Sequence, residues 1–213
     1  MWLVVPRWGV EQRLRSDSSK RHSFEQFAAL TLEELGLTGR PMRVEVYPEL
    51  PRAMGLGGSA AVAVAIIRAL DRHFDLGLSD DEINSLAFRC EQVAHGTPSG
   101  IDNTVATFGQ PLIYRKGDPP QFHSLVLPEP ITFVIGLTGV ESLTAKMVAR
   151  VRAGRERNRD VYDTMFKGID AVAGQAIEAI RHNDLERLGE LMTVNQGLLN
   201  GLQVSSWELE ELI

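Results

Sequence analysis

The sequence predicts an α+β fold in which a mixed N-terminal part is followed by a mostly helical C-terminal part. Two observations support this prediction. Short segments of strand-like composition, such as residues 42–47 and 112–114, stand between stretches of helical spacing. From residue 141 onward, apolar residues recur at helical spacing almost throughout. We therefore predict two domains, residues 1–130 and residues 131–213.

The first helices are predicted from their ends. Ser23 and Gln26 have the spacing of a capping box, in which the two side chains bind backbone N–H groups at the start of a helix. That helix is expected to extend through Leu35, where a glycine follows. A second helix is indicated by the apolar run of residues 60–70, which comes directly after a cluster of glycines.

A third helix and two strands are predicted next. Ser79 and Glu82 form another capping box, and apolar residues at helical spacing continue that helix to His95. A loop of small polar residues follows it. Residues 105–108 then alternate in polarity, which predicts a strand, and residues 131–135 predict a further strand.

The C-terminal part is predicted to contain two long helices. Apolar residues at helical spacing from residue 161 onward indicate one helix that ends near Asn183. Asp184 is a favourable N-cap for the next helix, whose apolar positions continue to Leu199. The chain shows no internal repeat and no low-complexity linker.

Composition and charge restrict the class of protein. The 213 residues are 44% hydrophobic, enough to bury a core, and no apolar run reaches the roughly 18 residues that a membrane span needs. The net charge of −6 gives no support to nucleic-acid binding. The single cysteine, Cys90, cannot form an internal disulfide and indicates a reducing compartment. We therefore expect a cytoplasmic protein that binds neither membrane nor nucleic acid.

A glycine cluster within residues 51–61, PRAMGLGGSAA, predicts a phosphate site. The glycines allow backbone N–H groups to close around an anion, and the start of the following helix adds a partial positive charge. Ser59 carries a hydroxyl that is placed to reach a metal ion bound to that anion.

Three alternatives share this pattern. A Walker loop needs a lysine before its serine or threonine, and no lysine lies between Lys20 and Lys116. A dinucleotide fingerprint is matched by residues 55–60, but Pro48 and Pro51 separate it from the preceding strand. A tight turn in front of a buried helix is the purely structural interpretation.

Two carboxylates flank the polar loop of residues 96–100. Glu91 lies before this loop and Asp102 after it. Phosphoryl transfer uses one carboxylate near the metal and another near the attacking hydroxyl. The structural alternative is a solvated glutamate at a helix end and an aspartate that caps a turn. His95, Ser99 and Asp102 are also the residue types of a hydrolase triad, but no nucleophile-elbow pattern accompanies them.

Together these segments resemble the GHMP kinase superfamily, and within it the mevalonate kinase branch. Residues 51–61 are similar to the family motif P-x-x-x-G-L-G-S-S-A-A, with Gly58 in place of the first serine. Residues 96–103, GTPSGIDN, are close to the central loop of the branch, and residues 138–146, TGVESLTAK, are similar to its T-G-x-x-x-S-T-K stretch. The resemblance begins near residue 23 and implies a GHMP-kinase-like fold of two parts.

The resemblance also implies a role for each matching residue. The loop that would bind the phosphates of ATP consists of Gly55, Leu56, Gly57, Gly58, Ser59 and Ala60. Ser59 and Glu91 would hold Mg²⁺, and Asp102 would act on the substrate hydroxyl as base or orienting group. Substrate contacts are expected from Thr97, Ser99, Gly100 and Thr138. The implied function is ATP-dependent phosphorylation of the hydroxyl of mevalonate, in isoprenoid precursor synthesis.

Two departures from the family pattern leave alternatives open. Residues 1–22 show no match to its N-terminal lysine and G-E-H element, and no counterpart of its C-terminal glycine-rich motif precedes Ile213. A truncated, non-catalytic fragment that at most binds nucleotide is one alternative. Another GHMP kinase, acting on phosphomevalonate or a sugar, is a second. Because unpaired strand edges favour self-association, a homodimer is also considered.

Overall fold

A computed structural model of the chain describes residues 1–13, 23–51, 54–95, 98–117, 120–139 and 144–213, and within them all side chains except those of residues 12, 23–25, 94–95 and 144–146. The chain divides into two compact units, Met1–His123 and Ser124–Ile213. The first unit is mixed α and β and the second is mostly helical, which confirms the α+β class. The assignment of residues 1–130 and 131–213 to two kinase domains stays a prediction.

A three-stranded sheet lies in the first unit. Strands β1 (Trp2–Val5) and β2 (Val10–Arg13) form an antiparallel hairpin, and β3 (Arg43–Glu45) pairs with β1 in parallel. Leu3 and Val5 of β1 are completely buried. Strand β3 confirms the strand predicted ahead of the glycine cluster. Runs as short as β1 and β2 carry too little periodicity to be identified from sequence.

Among the described residues of the first unit, four α-helices enclose its core. They are α1 (Ser23–Glu34), α2 (Gly58–Phe74), α3 (Asp80–His95) and α4 (Ile101–Phe108). Ile66 and Ile67 of α2 share one buried cluster with Ile83 of α3 and Leu3 of β1. Full burial of one such side chain contributes about 1.5–3 kcal/mol, so this cluster holds α2 firmly against its neighbours.

The capping box predicted for α3 is confirmed. The Ser79 hydroxyl donates to the Glu82 carboxylate at 2.7 Å, and the Ser79 backbone N–H donates to the same carboxylate at 2.8 Å. In return, the Glu82 backbone N–H donates to the Ser79 hydroxyl at 3.3 Å. Hydrogen bonds from the Ser79 backbone and side chain hold the pKa of Glu82 below its usual value.

The strand predicted at residues 105–108 is wrong, because these residues form the end of α4. Gly100 adopts a left-handed conformation (φ 83°) at the start of that helix, and the Thr104 hydroxyl donates to its carbonyl oxygen at 2.6 Å. The buried face of α4 consists of the polar residues Asn103, Thr104 and Thr107 at helical spacing. Because polar side chains occupy the buried face of α4, the alternating polarity of residues 105–108 does not indicate a strand.

A second, two-stranded sheet pairs β4 (Leu112–Arg115) with β5 (Gln121–Ser124). Strand β4 confirms the strand predicted there. The strand predicted at residues 131–135 is wrong, since this segment forms no regular element and its side chains are exposed, Phe133 by 56% and Val134 by 98%. In the part of the chain that the structure describes, no strand pairs with the segment, so it has no hydrogen-bonded ladder to join.

The second unit is built from helices. They are α5 (Thr144–Arg157), α6 (Arg159–Arg181), α7 (Leu185–Gly201) and α8 (Trp207–Glu210). Helix α6 confirms the long helix predicted from residue 161 onward. Asp184 caps α7 as predicted, because its carboxylate accepts a hydrogen bond from the Arg187 backbone N–H at 3.1 Å. None of the described helices is both long enough and apolar enough to cross a membrane.

Tyr162 of α6 packs directly on Gly154 of α5. The tyrosine is only 8% exposed. A methyl group added at residue 154 would overlap the tyrosine hydroxyl and lie 2.9 Å from the ring atom Cε1. Helix α5 therefore needs a glycine at this position.

Gly154→Ala is expected to lower the free energy of unfolding by about 1–3 kcal/mol, because the added methyl group overpacks against a buried ring. Gly174→Ala in α6 is the matched control, since no described atom lies within 4 Å of a methyl group added there. The control should raise the free energy of unfolding by up to about 1 kcal/mol through helix propensity. Urea denaturation measures both changes. A Gly154→Ala variant as stable as the parent would contradict the contact.

Candidate active site

Side chains from three helices converge at the start of α2. Ser59 is the second residue of α2, Glu91 lies in the last two turns of α3, and Asp102 is the second residue of α4. The Ser59 hydroxyl donates to a Glu91 carboxylate oxygen at 2.7 Å. A methyl group added at Gly57 would lie 3.5 Å from the carboxyl carbon of Asp102. The fold thus brings together residues that the sequence separates by 32 and 43 positions.

The glycine loop enters α2 through two left-handed residues. Gly55 has a φ of 74°, and Gly57, the N-cap of α2, has a φ of 65°. Residues with a side chain rarely adopt this conformation. Among the described residues no side chain caps α2, and its first turn carries no acidic residue. The N–H groups of this turn are therefore available to an external anion, which the helix dipole also favours.

The Ser59–Glu91 pair suits a hard cation that shares its ligands with a phosphate group. Glu91 is only 7% exposed, and both side chains offer oxygen atoms. Mg²⁺ prefers oxygen ligands and commonly takes one or two from the protein and the rest from phosphate and water. The described residues contain no group of three or more His, Cys, Asp or Glu side chains that could hold a metal. Two protein oxygen donors fit a cation that takes its remaining ligands from phosphate and water.

Two of the predicted substrate residues lie just ahead of α4. Ser99 is exposed, and its hydroxyl accepts a hydrogen bond from the Ile101 backbone N–H at 3.3 Å. Gly100 is buried, and a methyl group added there would lie 3.4 Å from the Phe88 ring. The geometry of Gly100 serves to turn the chain into α4, whereas Ser99 is accessible to a ligand.

The other predicted residues are placed differently. Leu56 is half-buried in the glycine loop, and Ala60 is completely buried in the first turn of α2. Thr138 belongs to the second unit. Thr97 and the side chain of His95 lie outside the described residues.

A polar network behind the site was not predicted from the sequence. The side-chain amides of Asn84 in α3 and Asn103 in α4 are hydrogen-bonded at 2.6 Å. Arg68 of α2 donates to the Thr107 backbone carbonyl at 2.8 Å. In the sequence, Asn103 directly after Asp102 indicates a polar side chain next to the site. Its partner on α3, Asn84, could not be identified without the fold.

A groove of about 510 Å³ lies beside the glycine loop. Its lining residues are Arg7, Trp8, Pro48, Glu49, Leu50 and Pro51. The Trp8 ring connects the groove to the loop, since a methyl group added at Gly58 would lie 3.8 Å from it. No function was predicted for the segment that carries Trp8, so the tertiary structure alone reveals the groove.

The chain is similar to proteins of one family. Residues 22–110 match the GHMP kinases N terminal domain. A mevalonate kinase of Thermococcus gammatolerans is 38% identical over 194 residues, which cover 88% of this chain and 57% of that relative. A mevalonate kinase of Archaeoglobus fulgidus is 38% identical over 170 residues, which cover 80% of this chain and 56% of that relative. The chain thus spans somewhat more than half the length of these relatives.

Solved structures show the same likeness. The structure of L. major mevalonate kinase in complex with R-mevalonate matches with a TM-score of 0.80 and 31% identity, over 91% of this chain and 60% of that one. Methanococcus jannaschii mevalonate kinase matches with a TM-score of 0.75 over 100% of this chain and 68% of that one. At 22% identity this second match supports the fold alone. The resemblance and the GHMP-kinase-like fold expected from the sequence are confirmed.

Ser59→Ala is expected to lower the free energy of unfolding by about 1–3 kcal/mol, since it removes a hydrogen bond to a buried carboxylate. Ser85→Ala is the matched control, because Ser85 is exposed on α3 and its loss should cost about 0.5 kcal/mol or less. Urea denaturation at neutral pH compares the two variants. Equal effects would mean that the Ser59–Glu91 hydrogen bond contributes nothing to the fold.

Proposed function

We propose that this chain, whose residues 22–110 match the GHMP kinases N terminal domain, transfers the γ-phosphoryl group of ATP to the hydroxyl group of mevalonate. One observation carries the proposal: Ser59, Glu91 and Asp102 converge on the glycine loop at the start of α2. It is supported by relatives named mevalonate kinase and by a similar structure that is a complex with R-mevalonate. Because the chain spans 57% of the first of those relatives, their activity is a proposal for this chain.

The glycine loop would hold the phosphates of ATP. Its members are Gly55, Leu56, Gly57, Gly58, Ser59 and Ala60. Backbone N–H groups at the start of α2 would donate to phosphate oxygens, and the helix dipole would stabilise their negative charge. The absence of a side chain at Gly57 leaves room between this loop and Asp102. Positioning and charge stabilisation of this kind supply most of the catalysis in phosphoryl transfer.

Ser59 and Glu91 would hold the Mg²⁺ that accompanies the nucleotide. In the structure the two side chains already meet, because the hydroxyl donates to the carboxylate at 2.7 Å. Burial of Glu91 keeps water away from the carboxylate and strengthens its electrostatic interactions. When bound, the cation neutralises phosphate charge.

Asp102 would act on the substrate hydroxyl. Its side chain is exposed and lies beside Gly57, so a hydroxyl group that reaches it also comes close to the phosphate-binding loop. In the transfer, the hydroxyl oxygen forms a bond to the γ-phosphorus as the bond from that phosphorus to ADP breaks. Asp102 would accept the hydroxyl proton or orient it.

The groove beside the loop would hold the nucleotide base. Its volume of about 510 Å³ lies within the roughly 300–1,000 Å³ of small-molecule pockets. The ring atoms Cζ2 and Cη2 of Trp8 lie next to Gly58, at 3.8 Å from a methyl group added there. Arg7 donates to the Pro48 carbonyl oxygen at 3.1 Å and so connects two walls of the groove.

A protein that binds nucleotide without transferring phosphate is the second candidate, because the glycine loop and the start of α2 would suffice for binding alone. Mevalonate, phosphomevalonate and a sugar should be offered in parallel with ATP, so that the related kinases are distinguished. The proposed substrate contacts are Thr97, Ser99, Gly100 and Thr138. A homodimer and a cytoplasmic location stay predictions.

Asp102→Asn is expected to reduce phosphorylation of mevalonate about 100-fold or more, because an amide cannot accept the hydroxyl proton. ATP binding should remain nearly unchanged. A coupled assay of ADP release measures transfer, and calorimetric titration with Mg·ATP measures binding. Asp81→Asn, at an exposed carboxylate of α3, is the matched control and should alter neither. Equal loss of binding and transfer would identify Asp102 as a structural aspartate.

Glu91→Gln is expected to weaken the binding of ATP about tenfold in the presence of Mg²⁺, because an amide is a poorer ligand for a hard cation. The amide oxygen can still accept the hydrogen bond from Ser59, so the fold should be retained. The same titration with EDTA in place of Mg²⁺ is the control, and there the variant should match the parent. An unchanged affinity in Mg²⁺ would remove Glu91 from the proposed cation site.

A further inference from the structure

A pair of amides, one buried and one half-buried, joins the two helices that carry the candidate carboxylates. Asn103 of α4 is only 2% exposed, and its side chain is hydrogen-bonded to that of half-buried Asn84 in α3 at 2.6 Å. The Asn84 amide also lies 3.5 Å from the Thr104 hydroxyl, which donates to the Gly100 carbonyl at 2.6 Å. The first turn of α4 is therefore connected to α3 by side chains that are largely removed from water.

The far end of α4 is held in a different way. Arg68 of α2 donates to the Thr107 carbonyl at 2.8 Å and to the Asp80 carboxylate of α3 at 2.8 Å. Both partners of this ion pair are exposed, and exposed pairs contribute little to stability. The hydrogen bond between the two amides is the stronger constraint, because leaving Asn103 unpaired would bury an unsatisfied polar group.

We propose that Asn84 and Asn103 are positioning residues that set Asp102 against the glycine loop. The inference rests on the proposed function, because the role of Asp102 is assigned there. Asp102 is the direct neighbour of Asn103, and its own side chain is exposed, so burial of that side chain does not fix its position. The position of Asp102 therefore depends on the backbone of the first turn of α4, and the amide pair attaches that turn to α3 by a hydrogen bond. Misplacement of a catalytic group by about 1 Å can cost about 100-fold in rate.

Asn84→Ala tests the proposal at the less buried member of the pair and leaves the side chain of Asn103 in place. We expect kcat for phosphoryl transfer to fall about tenfold or more, while KM for ATP stays within about twofold. Amide hydrogen exchange in the peptide over residues 98–105 should accelerate about tenfold, with no change in α2. Ser85→Ala, the next residue on α3 and exposed, is the matched control and should change none of these quantities.

Thr104→Val provides a second variant of nearly the same shape, which removes only the hydroxyl that links Asn84 to Gly100. It should show the same pattern with a smaller amplitude. Faster exchange throughout the first unit, or equal losses in ATP affinity and kcat, would identify the pair as a general support of the fold and overturn the proposal.

The outcomes separate this inference from the proposed function. If the parent chain transfers no phosphate to mevalonate, the proposed function fails for this chain. Hydrogen exchange then decides the positioning role alone. Acceleration confined to residues 98–105 supports the amide pair as the attachment of Asp102, and unchanged exchange there overturns it.

Discussion

The burial of α2 is the constraint on which the rest of the first unit depends. Ile66 and Ile67 anchor its centre in the cluster that also contains Leu3 of β1 and Ile83 of α3. The glycine loop before it contributes few apolar side chains, so that loop cannot hold its own place by burial. Instead, the packing of α2 fixes the position of the loop and of the uncapped N–H groups in the first turn of the helix.

The candidate site is assembled from helix ends, where backbone groups are free to bind something outside the helix. Ser59 and Asp102 each occupy the second position of a helix, and Glu91 lies near the end of another. The Ser59 hydroxyl donates to the buried Glu91 carboxylate. Oxygen atoms of this kind are the ligands that Mg²⁺ prefers, so the residues proposed to hold a cation are joined by a hydrogen bond that also contributes to the stability of the fold.

The sequence predicted the elements that have strong local signals. The Ser79 capping box, the Asp184 cap and the long helix from residue 161 onward were all found as predicted. Prediction failed where the environment overrides local pattern. Residues 105–108 continue α4, whose Asn103 side chain and Thr107 carbonyl have hydrogen-bond partners on α3 and α2. Residues 131–135 form no strand because a strand needs a neighbour that local sequence does not supply.

The sequence by itself determined which chemistry is available. A glycine cluster before an apolar helix, and carboxylates at positions 91 and 102, depend only on residue type and spacing along the chain. Only the tertiary structure decided that Ser59 meets Glu91, that Asp102 lies beside Gly57, and that Trp8 opens a groove next to the loop. Those contacts join residues 32 to 50 positions apart, and packing of separate helices and strands, rather than any local preference of the backbone, brings them together.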